Sequence, residues 1–295
     1  MSITTYFISK LFNLKTFGND RIISSLNLCN RSILKSGTLS YITSDRYIAS
    51  IINNENIVGV LIEESIFENN RETLSQITCL ISENPEADFY KIHEYLVNQT
   101  SFYDEFRFKS VIGENLKTGN NVFIDNEGVI IGDNVIIDSN TVIKKGTVVD
   151  NNCFIGCNVV IGCDGFQLIR DQNGYNLLAT HAGGVYVGKN VSIGNNSIIS
   201  KSLFTDATYI GKNTKIDNLV HISHNCVIGE NCVLTAGTIL AGSVILNDGV
   251  WVGPNSTILN KVVCKNNSTI GIGSVLLGNV EENSKVFGNP ARKIQ

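Results

Sequence analysis

The stretch that decides the fold runs from Ile210 to Gly229 and reads IGKNTKIDNLVHISHNCVIG. An isoleucine returns at every sixth residue of it, and apolar residues continue at that spacing further along the chain. The complete series is Ile210, Ile216, Ile222, Ile228, Leu234, Leu240, Leu246, Val252, Ile258, Cys264, Ile270 and Leu276. A helix would need apolar spacings of three and four, and a simple strand would need alternation, so this period indicates a repeat architecture.

Each six-residue unit reads as a short strand followed by a tight corner. Four residues after each lead position stands a second small or β-branched residue, as at Val220 and Cys226, which belongs to the same interior wall. Three residues after the lead, asparagine and glycine recur, and both enter left-handed backbone conformations at low cost. These corner residues are Asn213, Asn225, Asn231, Gly237, Gly249, Asn255, Asn267 and Gly273. Three strands and three corners close one triangular coil of about 18 residues, so the sequence predicts a mainly β fold, a parallel β-helix.

The same register appears earlier in the chain and is interrupted twice. Its earlier members are Ile131, Ile137, Ile143, Val149, Ile155, Ile161, Val187, Ile193 and Ile199. Residues 162–186 break the register with charged and aromatic side chains and are predicted to project as a flap, and a smaller insertion lies near Leu203 to Ala207. Long excursions from a regular scaffold often carry function, although a tolerated surface insertion is the alternative.

The first hundred residues have a different pattern. Ile57–Ile62 and Thr78–Ile81 read as buried strands, and residues 88–98 carry apolar side chains on one face of a helix. We therefore predict a small α/β domain over residues 1–105, the β-helix over 106–288 and a C-terminal tail over 289–295.

Composition narrows the classes of function. The 295 residues carry a formal net charge of -4 and a pI near 5.6, which argues against nucleic acid and anionic membrane as partners. No run approaches 18 apolar residues, which argues against stable membrane insertion. The eight cysteines are scattered among apolar residues, so we expect reduced, buried thiols and no metal site. The N-terminus lacks a basic segment followed by an apolar one, and we expect a cytoplasmic protein.

The stretch from Lys215 to Gly229, the excursion beginning at Asp164 and the N-terminal segment occur in an order that resembles the UDP-3-O-acylglucosamine N-acyltransferases, the third enzyme of lipid A synthesis. The resemblance covers nearly the whole chain. It implies a left-handed β-helix, a homotrimer with the active groove between chains, and transfer of an acyl group from a thioester to a nucleotide-linked amino sugar.

In that family the imidazole of a His-Asn pair is the general base, and this position is His224. Its place two residues after the inward Ile222 predicts a ring that points out into a groove, where a neutral imidazole can accept a proton. Gly242, one coil later, matches the family's oxyanion donor, or it serves only the turn.

Further residues are expected around this pair. By the same resemblance Asp217 and Asn218 are expected to contact the substrate, and His221 to line the groove. His181, in the flap, is expected to meet a neighbouring chain's groove, and His93 to be an ordinary surface residue.

The segment from Leu39 to Tyr47 resembles the family's uridine-binding stretch, in which two aromatic rings hold the base. Tyr41 and Tyr47 match the ring positions. Ser44 stands where the family usually has asparagine, so the base is expected to be uracil or thymine. The alternative is that both tyrosines are ordinary strand or core residues.

The acyl donor is where the sequence departs from the family. Lys261 replaces the second groove histidine, and the C-terminal helices that receive acyl carrier protein are not found. The ending FGNPARKIQ is similar to that of hexapeptide acetyltransferases that use coenzyme A, and Arg292 and Lys293 are then candidates for its phosphates. We thus expect acyl-CoA as a co-substrate, no tightly bound cofactor, and an N-acyltransferase that delivers an acetyl or short hydroxyacyl group for surface polysaccharide synthesis.

Three alternatives remain open from the sequence. One is the lipid A enzyme itself, with acyl carrier protein as donor. Another is a metalloenzyme like the γ-class carbonic anhydrases, whose His-x4-His spacing differs from the His-x-x-His of residues 221–224. The last is a binding module without chemistry.

Overall fold

The computed structural model describes residues 3–31, 35–170 and 174–294. The chain folds as two compact units, one comprising Met1–Tyr103 with Gln167–Thr180 and the other Asp104–Phe166 with His181–Gln295. The sequence assigned all of the 162–186 excursion to the repeat domain, whereas its central part, residues 167–180, groups with the N-terminal unit.

The first unit contains a mixed sheet with strand order β1-β5-β4-β3-β2, in which β1 is antiparallel to β5 and the other pairs are parallel. Its strands are β1 (Lys15–Phe17), β2 (Ser25–Leu26), β3 (Thr38–Tyr41), β4 (Ile57–Ile62) and β5 (Thr78–Ile81). Its helices are α1 (Thr5–Leu11), α2 (Ile48–Ile52), α3 (Glu64–Asn69) and α4 (Pro85–Gln99), with a 3-10 turn at Asp45–Tyr47. Helix α4 begins after Asn84, whose side-chain oxygen accepts a hydrogen bond from the Ala87 N–H, and Pro85 occupies its first turn.

The excursion folds back within this unit as an antiparallel hairpin, β15 (Leu168–Arg170) with β16 (Asn176–Leu178). Thr180, which follows the hairpin, is held by two residues of α4. Its carbonyl oxygen lies 2.8 Å from His93 Nε2, and its hydroxyl donates to the Glu94 carboxylate at 2.6 Å. The His93 ring is therefore 1% exposed, and the prediction of a surface residue is wrong because the excursion covers it.

The second unit is a three-sided prism whose walls are sheets of mainly parallel strands. One wall contains β6 (Val111–Ile112), β9 (Ile130–Ile131), β12 (Thr147–Val149), β17 (Gly184–Val187), β20 (Ala207–Ile210), β23 (Val227–Ile228), β26 (Ile245–Leu246) and β29 (Val263–Cys264). The next contains β8 (Phe123–Ile124), β11 (Val142–Ile143), β14 (Val160–Cys163), β19 (Ile198–Ser200), β22 (His221–Ile222), β25 (Ile239–Leu240), β28 (Thr257–Ile258) and β31 (Val275–Leu276). The last contains β7 (Lys117–Thr118), β10 (Ile136–Ile137), β13 (Phe154–Ile155), β18 (Ser192–Ile193), β21 (Lys215–Ile216), β24 (Val233–Leu234), β27 (Trp251–Val252), β30 (Thr269–Ile270), β32 (Lys285–Phe287) and β33 (Arg292–Ile294). We call these the first, second and third walls. A 3-10 turn, Asp104–Phe106, precedes β6.

The six-residue rule explains the prism. Every lead residue from Ile210 to Leu276 is buried, at most 4% exposed, and each lead as far as Ile258 pairs with the lead one coil further on, as Ile222 does with Leu240. Burying one such side chain contributes about 1.5–3 kcal/mol. The predicted corner residues all have positive φ, for example 59° at Asn225. The predicted fold class, a parallel β-helix with a small α/β domain, is confirmed.

Asparagine side chains also connect neighbouring coils along one corner. The Asn152 amide donates to Asn190 at 3.3 Å, Asn190 to Asn213 at 3.0 Å, and Asn213 to Asn231 at 3.2 Å. Each coil is thus tied to the next by backbone and by side-chain hydrogen bonds in the same register.

Candidate functional site

His224 lies at the corner between β22 and β23, where the first and second walls meet. The Ser243 N–H donates to the His224 carbonyl at 2.9 Å, and the Lys261 N–H donates to the Gly242 carbonyl at 3.1 Å. His224, Gly242 and Lys261 therefore follow one another in successive coils along a single edge of the prism. Ser243 and Lys261 occupy the left-handed corner position, with φ of 62° and 64°.

Two glycines make room for the His224 imidazole. A Cβ atom at Gly242 would lie 2.8 Å from both Cε1 and Nε2 of the ring, and one at Gly165 would lie 2.9 Å from its Cδ2. Both separations are shorter than van der Waals contact, so the ring packs directly against the two glycine α-carbons. Any side chain at position 242 would displace the imidazole.

Gly165 and His181, at the two ends of the excursion, both lie against the same ring. The rings of His181 and His224 meet edge to face with centroids 5.3 Å apart. His224 is 6% exposed. The structure places the His181 ring against His224 of the same chain, and Gly165 allows this close approach because it has no side chain. The groove between chains, and the contact of His181 with a neighbouring chain, stay predictions.

Hydrogen bonds at Asn225 set the protonation of the His224 ring. Asn225 Oδ1 lies 3.0 Å from His224 Nδ1 and also accepts the Leu203 N–H at 3.1 Å. An atom that accepts from a backbone N–H is the carbonyl oxygen of the amide, so Nδ1 carries a hydrogen and donates it. In the neutral ring this tautomer has its lone pair on Nε2, the nitrogen beside Gly242.

Three further residues of the second unit that were predicted to contact substrate lie outside the His224 corner. His221 faces outward from the second wall between Ile198 and Ile239, and its partial burial lowers its pKa. Asp217 and Asn218 are exposed at a different corner, between the third and second walls. They serve turns there: the Asn218 N–H donates to Asp217 Oδ1, and the Asn195 N–H donates to Asn218 Oδ1, both at 2.7 Å.

Arg292 and Lys293 lie on β33, which pairs antiparallel with β32 in the third wall. That wall is opposite the His224 corner, so the structure does not bring these two residues to His224 within one chain. Lys261, in contrast, is exposed in the next coil but one after His224.

The predicted base-stacking tyrosines have partners within the first unit. The Tyr41 ring lies 5.0 Å from Phe89, its hydroxyl donates to Glu86 at 2.8 Å, and burial raises its pKa. Arg46 lies 4.6 Å from the centroid of the Tyr47 ring and donates to its hydroxyl at 2.7 Å. Ser44 immediately precedes the 3-10 turn that ends at Tyr47. A sandwich of a base between the two rings stays a prediction.

Other kinds of site find little support. Within residues 3–31, 35–170 and 174–294, no group of three or more histidine, cysteine or acidic residues could hold a metal ion. The eight cysteines are free thiols, and burial raises the pKa of several, to about 11 at Cys153 and Cys232. Among the helices that the structure describes, none has the length and apolar character needed to cross a bilayer.

Sequence reasoning missed Asn225 as the hydrogen-bond partner of the His224 ring, and it missed the close approach of Gly165. It also missed Asp206, whose carboxylate accepts a hydrogen bond from Asn225 Nδ2 at 3.2 Å. Asp206 lies within the small insertion of residues 203–207, whose break in the six-residue rhythm was the available signal. Nothing in the local pattern indicated that this insertion contacts Asn225.

Comparison with known proteins agrees with the repeat. The family described as "Bacterial transferase hexapeptide (six repeats)" matches residues 128–163 and 207–242. The UDP-3-O-acylglucosamine N-acyltransferase of Caulobacter sp. (strain K31) is 36% identical over 113 residues, 38% of this chain and 33% of the relative. The one of Campylobacter lari is 34% identical over 125 residues, 42% of this chain and 39% of the relative. The matched region thus spans between a third and two fifths of these curated relatives.

Two solved structures share the fold. The UDP-N-acetylglucosamine acyltransferase from Campylobacter jejuni superposes with a TM-score of 0.55 and 23% identity, over 63% of this chain and 69% of that chain. LpxA from Acinetobacter baumannii gives a TM-score of 0.57 and 23% identity, over 64% and 70%. At this identity the likeness concerns the fold, a left-handed parallel β-helix.

Proposed function

We propose that this hexapeptide-repeat chain, which resembles the UDP-3-O-acylglucosamine N-acyltransferases, transfers an acyl group from a thioester to the amino group of a nucleotide-linked amino sugar. The observation that carries the proposal is the His224 ring, whose Nε2 lone pair lies beside the Gly242 backbone. The matched relatives favour a UDP-linked 3-O-acylglucosamine as acceptor. They therefore favour the hypothesis of a lipid A enzyme over that of an acetyl-CoA-dependent transferase, which was the main prediction from the sequence.

In the proposed reaction, the substrate amine attacks the thioester carbonyl carbon as His224 Nε2 takes its proton. The resulting tetrahedral intermediate carries a negative oxygen. When it collapses, the new C–N bond remains, the C–S bond breaks and the imidazolium returns the proton to the departing thiolate. General base assistance of this kind is worth about 10²–10⁴ in rate.

The Gly242 N–H is our candidate donor to that oxygen. At some equivalent corner positions the N–H is capped by a carboxylate, as Asn218 is by Asp217 and Glu230 is by Asp248. Throughout the described part of the chain, nothing accepts a hydrogen bond from the Gly242 N–H. An uncommitted backbone donor next to the base suits an oxyanion.

The outer surface of the prism supports a homotrimer. Residues that point outward from the first wall are all apolar: Val111, Ile130, Val148, Tyr186, Tyr209, Val227, Ile245 and Val263. Those of the second wall are apolar apart from His221 and Thr257, whereas the third wall mixes the charged Lys117, Lys215 and Lys285 with apolar residues such as Phe154 and Trp251. Burial of the first two walls against other copies would remove exposed apolar surface and place the His224 edge between chains.

We place the acyl donor beside Lys261 because of the positive charge of this residue. Lys261 follows Gly242 along the edge, and its ammonium group suits the phosphate of a phosphopantetheine arm, which acyl carrier protein and coenzyme A share. Arg292 and Lys293 stay proposals for the further phosphates of coenzyme A, and Tyr41, Ser44 and Tyr47 for the nucleotide base.

Incubating the purified protein with a UDP-linked 3-O-acylglucosamine and either 3-hydroxyacyl carrier protein or acetyl-CoA tests the proposal. We expect free thiol to appear with the carrier-protein donor and the product to gain one amide-linked acyl chain. Thiol release from acetyl-CoA alone would support instead the hypothesis that a short acyl group is transferred from coenzyme A. No release with either donor, nor with dTDP-linked amino sugars, would refute acyl transfer.

A further inference from the structure

The small insertion between β19 and β20 packs against the return leg of the 162–186 excursion. The Ala182 N–H donates to the Leu203 carbonyl at 3.0 Å, and the Gly184 N–H donates to the Asp206 carbonyl at 3.0 Å. The Ser202 hydroxyl also donates to the Asp206 carbonyl. Leu203 and Phe204 are fully buried. The insertion is therefore a fixed part of the scaffold, and the backbone of Asp206 is held from two sides.

This insertion presents two groups to the Asn225 side chain. The Leu203 N–H donates to Asn225 Oδ1 at 3.1 Å, and the Asp206 carboxylate accepts from Asn225 Nδ2 at 3.2 Å. The Asn225 backbone N–H is held in turn by the Thr208 hydroxyl at 2.9 Å. Asn225 is 8% exposed, so these protein groups determine its orientation.

The alternative orientation of the Asn225 amide is disfavoured at both ends. A 180° rotation would place the NH₂ group against the Leu203 N–H, and it would place the oxygen against the Asp206 carboxylate. Donor would face donor and acceptor would face acceptor, and an unmade buried hydrogen bond costs about 1–3 kcal/mol. The amide oxygen is thereby directed at His224 Nδ1.

We propose that Asp206 is a positioning residue that fixes, through Asn225, the tautomer of His224 with hydrogen on Nδ1 and the lone pair on Nε2. The inference rests on the proposed role of His224 as base and deepens it. An imidazole of the opposite tautomer would present an N–H to the incoming amine and could not accept its proton. The small insertion thus serves the same site as the large one.

The tautomer can be measured without any assay of activity. Two-bond ¹H–¹⁵N correlation spectra of ¹⁵N-histidine-labelled protein distinguish the two neutral forms, and subtraction of the His224→Gln spectrum assigns the signal. We expect the Nδ1–H form in the wild type and a mixture in Asp206→Ala. Asp206→Asn, which keeps an acceptor oxygen in place, should retain the wild-type form. Asp248→Ala is the matched control, because Asp248 caps the Glu230 N–H at an ordinary corner.

Repeating the measurement in the Asn225→Asp variant distinguishes a positioning role of Asp206 from a general effect of its removal on the fold. In Asn225→Asp the carboxylate accepts from Nδ1 whether or not Asp206 is present, so adding Asp206→Ala should leave the tautomer unchanged. In the wild-type background, Asp206→Ala should lower kcat by about tenfold or more with little change in KM. An unchanged His224 tautomer in Asp206→Ala, or an equal shift in both backgrounds, would overturn the inference. A wild type that transfers no acyl group would instead overturn the proposed function, and the spectra would still decide the role of Asp206.

Discussion

The coils after Ile210 and the coils between Val160 and Ile210 obey the same six-residue rule but differ in what they add to it. The later coils run to Leu276 without an insertion, and their corners are occupied by asparagine, glycine and exposed polar residues. The earlier coils contain two insertions, and residues of both lie at the His224 corner, His181 from the larger one and Leu203 and Asp206 from the smaller. Regular coils therefore supply a rigid edge, and the interruptions convert one corner of that edge into a site.

The sharpest test of this contrast compares the same corner position in two adjacent repeats. His224 and Glu230 both stand two residues after a lead isoleucine, but only His224 is covered by the insertions. We expect His224→Ala to lower kcat by about 10²–10⁴, because the general base is lost. Glu230→Ala should stay within about twofold of the wild type. Steady-state kinetics of both variants, with circular dichroism as a check on folding, decides the matter, and equal losses would remove the distinction.

The regular coils should dominate stability. Leu234→Ala removes a fully buried lead side chain, and we expect a loss of about 2–5 kcal/mol in the free energy of unfolding. Leu178→Ala, in the exposed hairpin of the excursion, should change it by no more than about 0.5 kcal/mol. Denaturant titration followed by circular dichroism reports on both units, and the fluorescence of Trp251, the single tryptophan of the sequence, reports on the prism. A larger loss from the hairpin variant would contradict the comparison.

Two glycines on the same edge separate a site role from a turn role. A Cβ at Gly242 would strike the His224 imidazole, whereas one at Gly278, two coils further on, would meet no atom within 4 Å. We expect Gly242→Ala to lower kcat by about 10–100-fold through displacement of the ring. Gly278→Ala should leave kcat and stability near wild type. A silent Gly242→Ala would show that the ring and the glycine are not coupled.

The smallest effect concerns pH and compares the two units. Burial lowers the pKa of His93 in the first unit and of His221 in the second below the ordinary value of 6.5. As pH falls below 6.5 the unfolded chain takes up protons first, so stability decreases, by at most about 1.4 kcal/mol per pH unit for each group. His221→Gln should flatten this dependence for the Trp251-reported transition between pH 7.5 and 5. An unaltered slope would assign the acid sensitivity to other groups.

The sequence predicted the periodic part of this molecule well and the folded-back part poorly. Lead and corner residues such as Ile222 and Asn225 are specified by local spacing, because each coil repeats the same inward and left-handed positions. The burial of His93 and of His224 depends on how the insertions pack. That packing is determined by long-range contacts, such as the one between Thr180 and α4. The resemblance indicated the His-Asn pair, but it gave no sign of Asp206.

The asparagine ladder from Asn152 to Asn231 has a consequence for how the prism comes apart. Each amide bonds only to those directly above and below it, as each strand does, so cohesion is a nearest-neighbour property. Such a stack unfolds from its terminal coils inward, and backbone amide hydrogens in its middle coils should exchange with solvent most slowly. The histidine-bearing corner is among those inner layers, so it should be among the last parts of the prism to lose its shape.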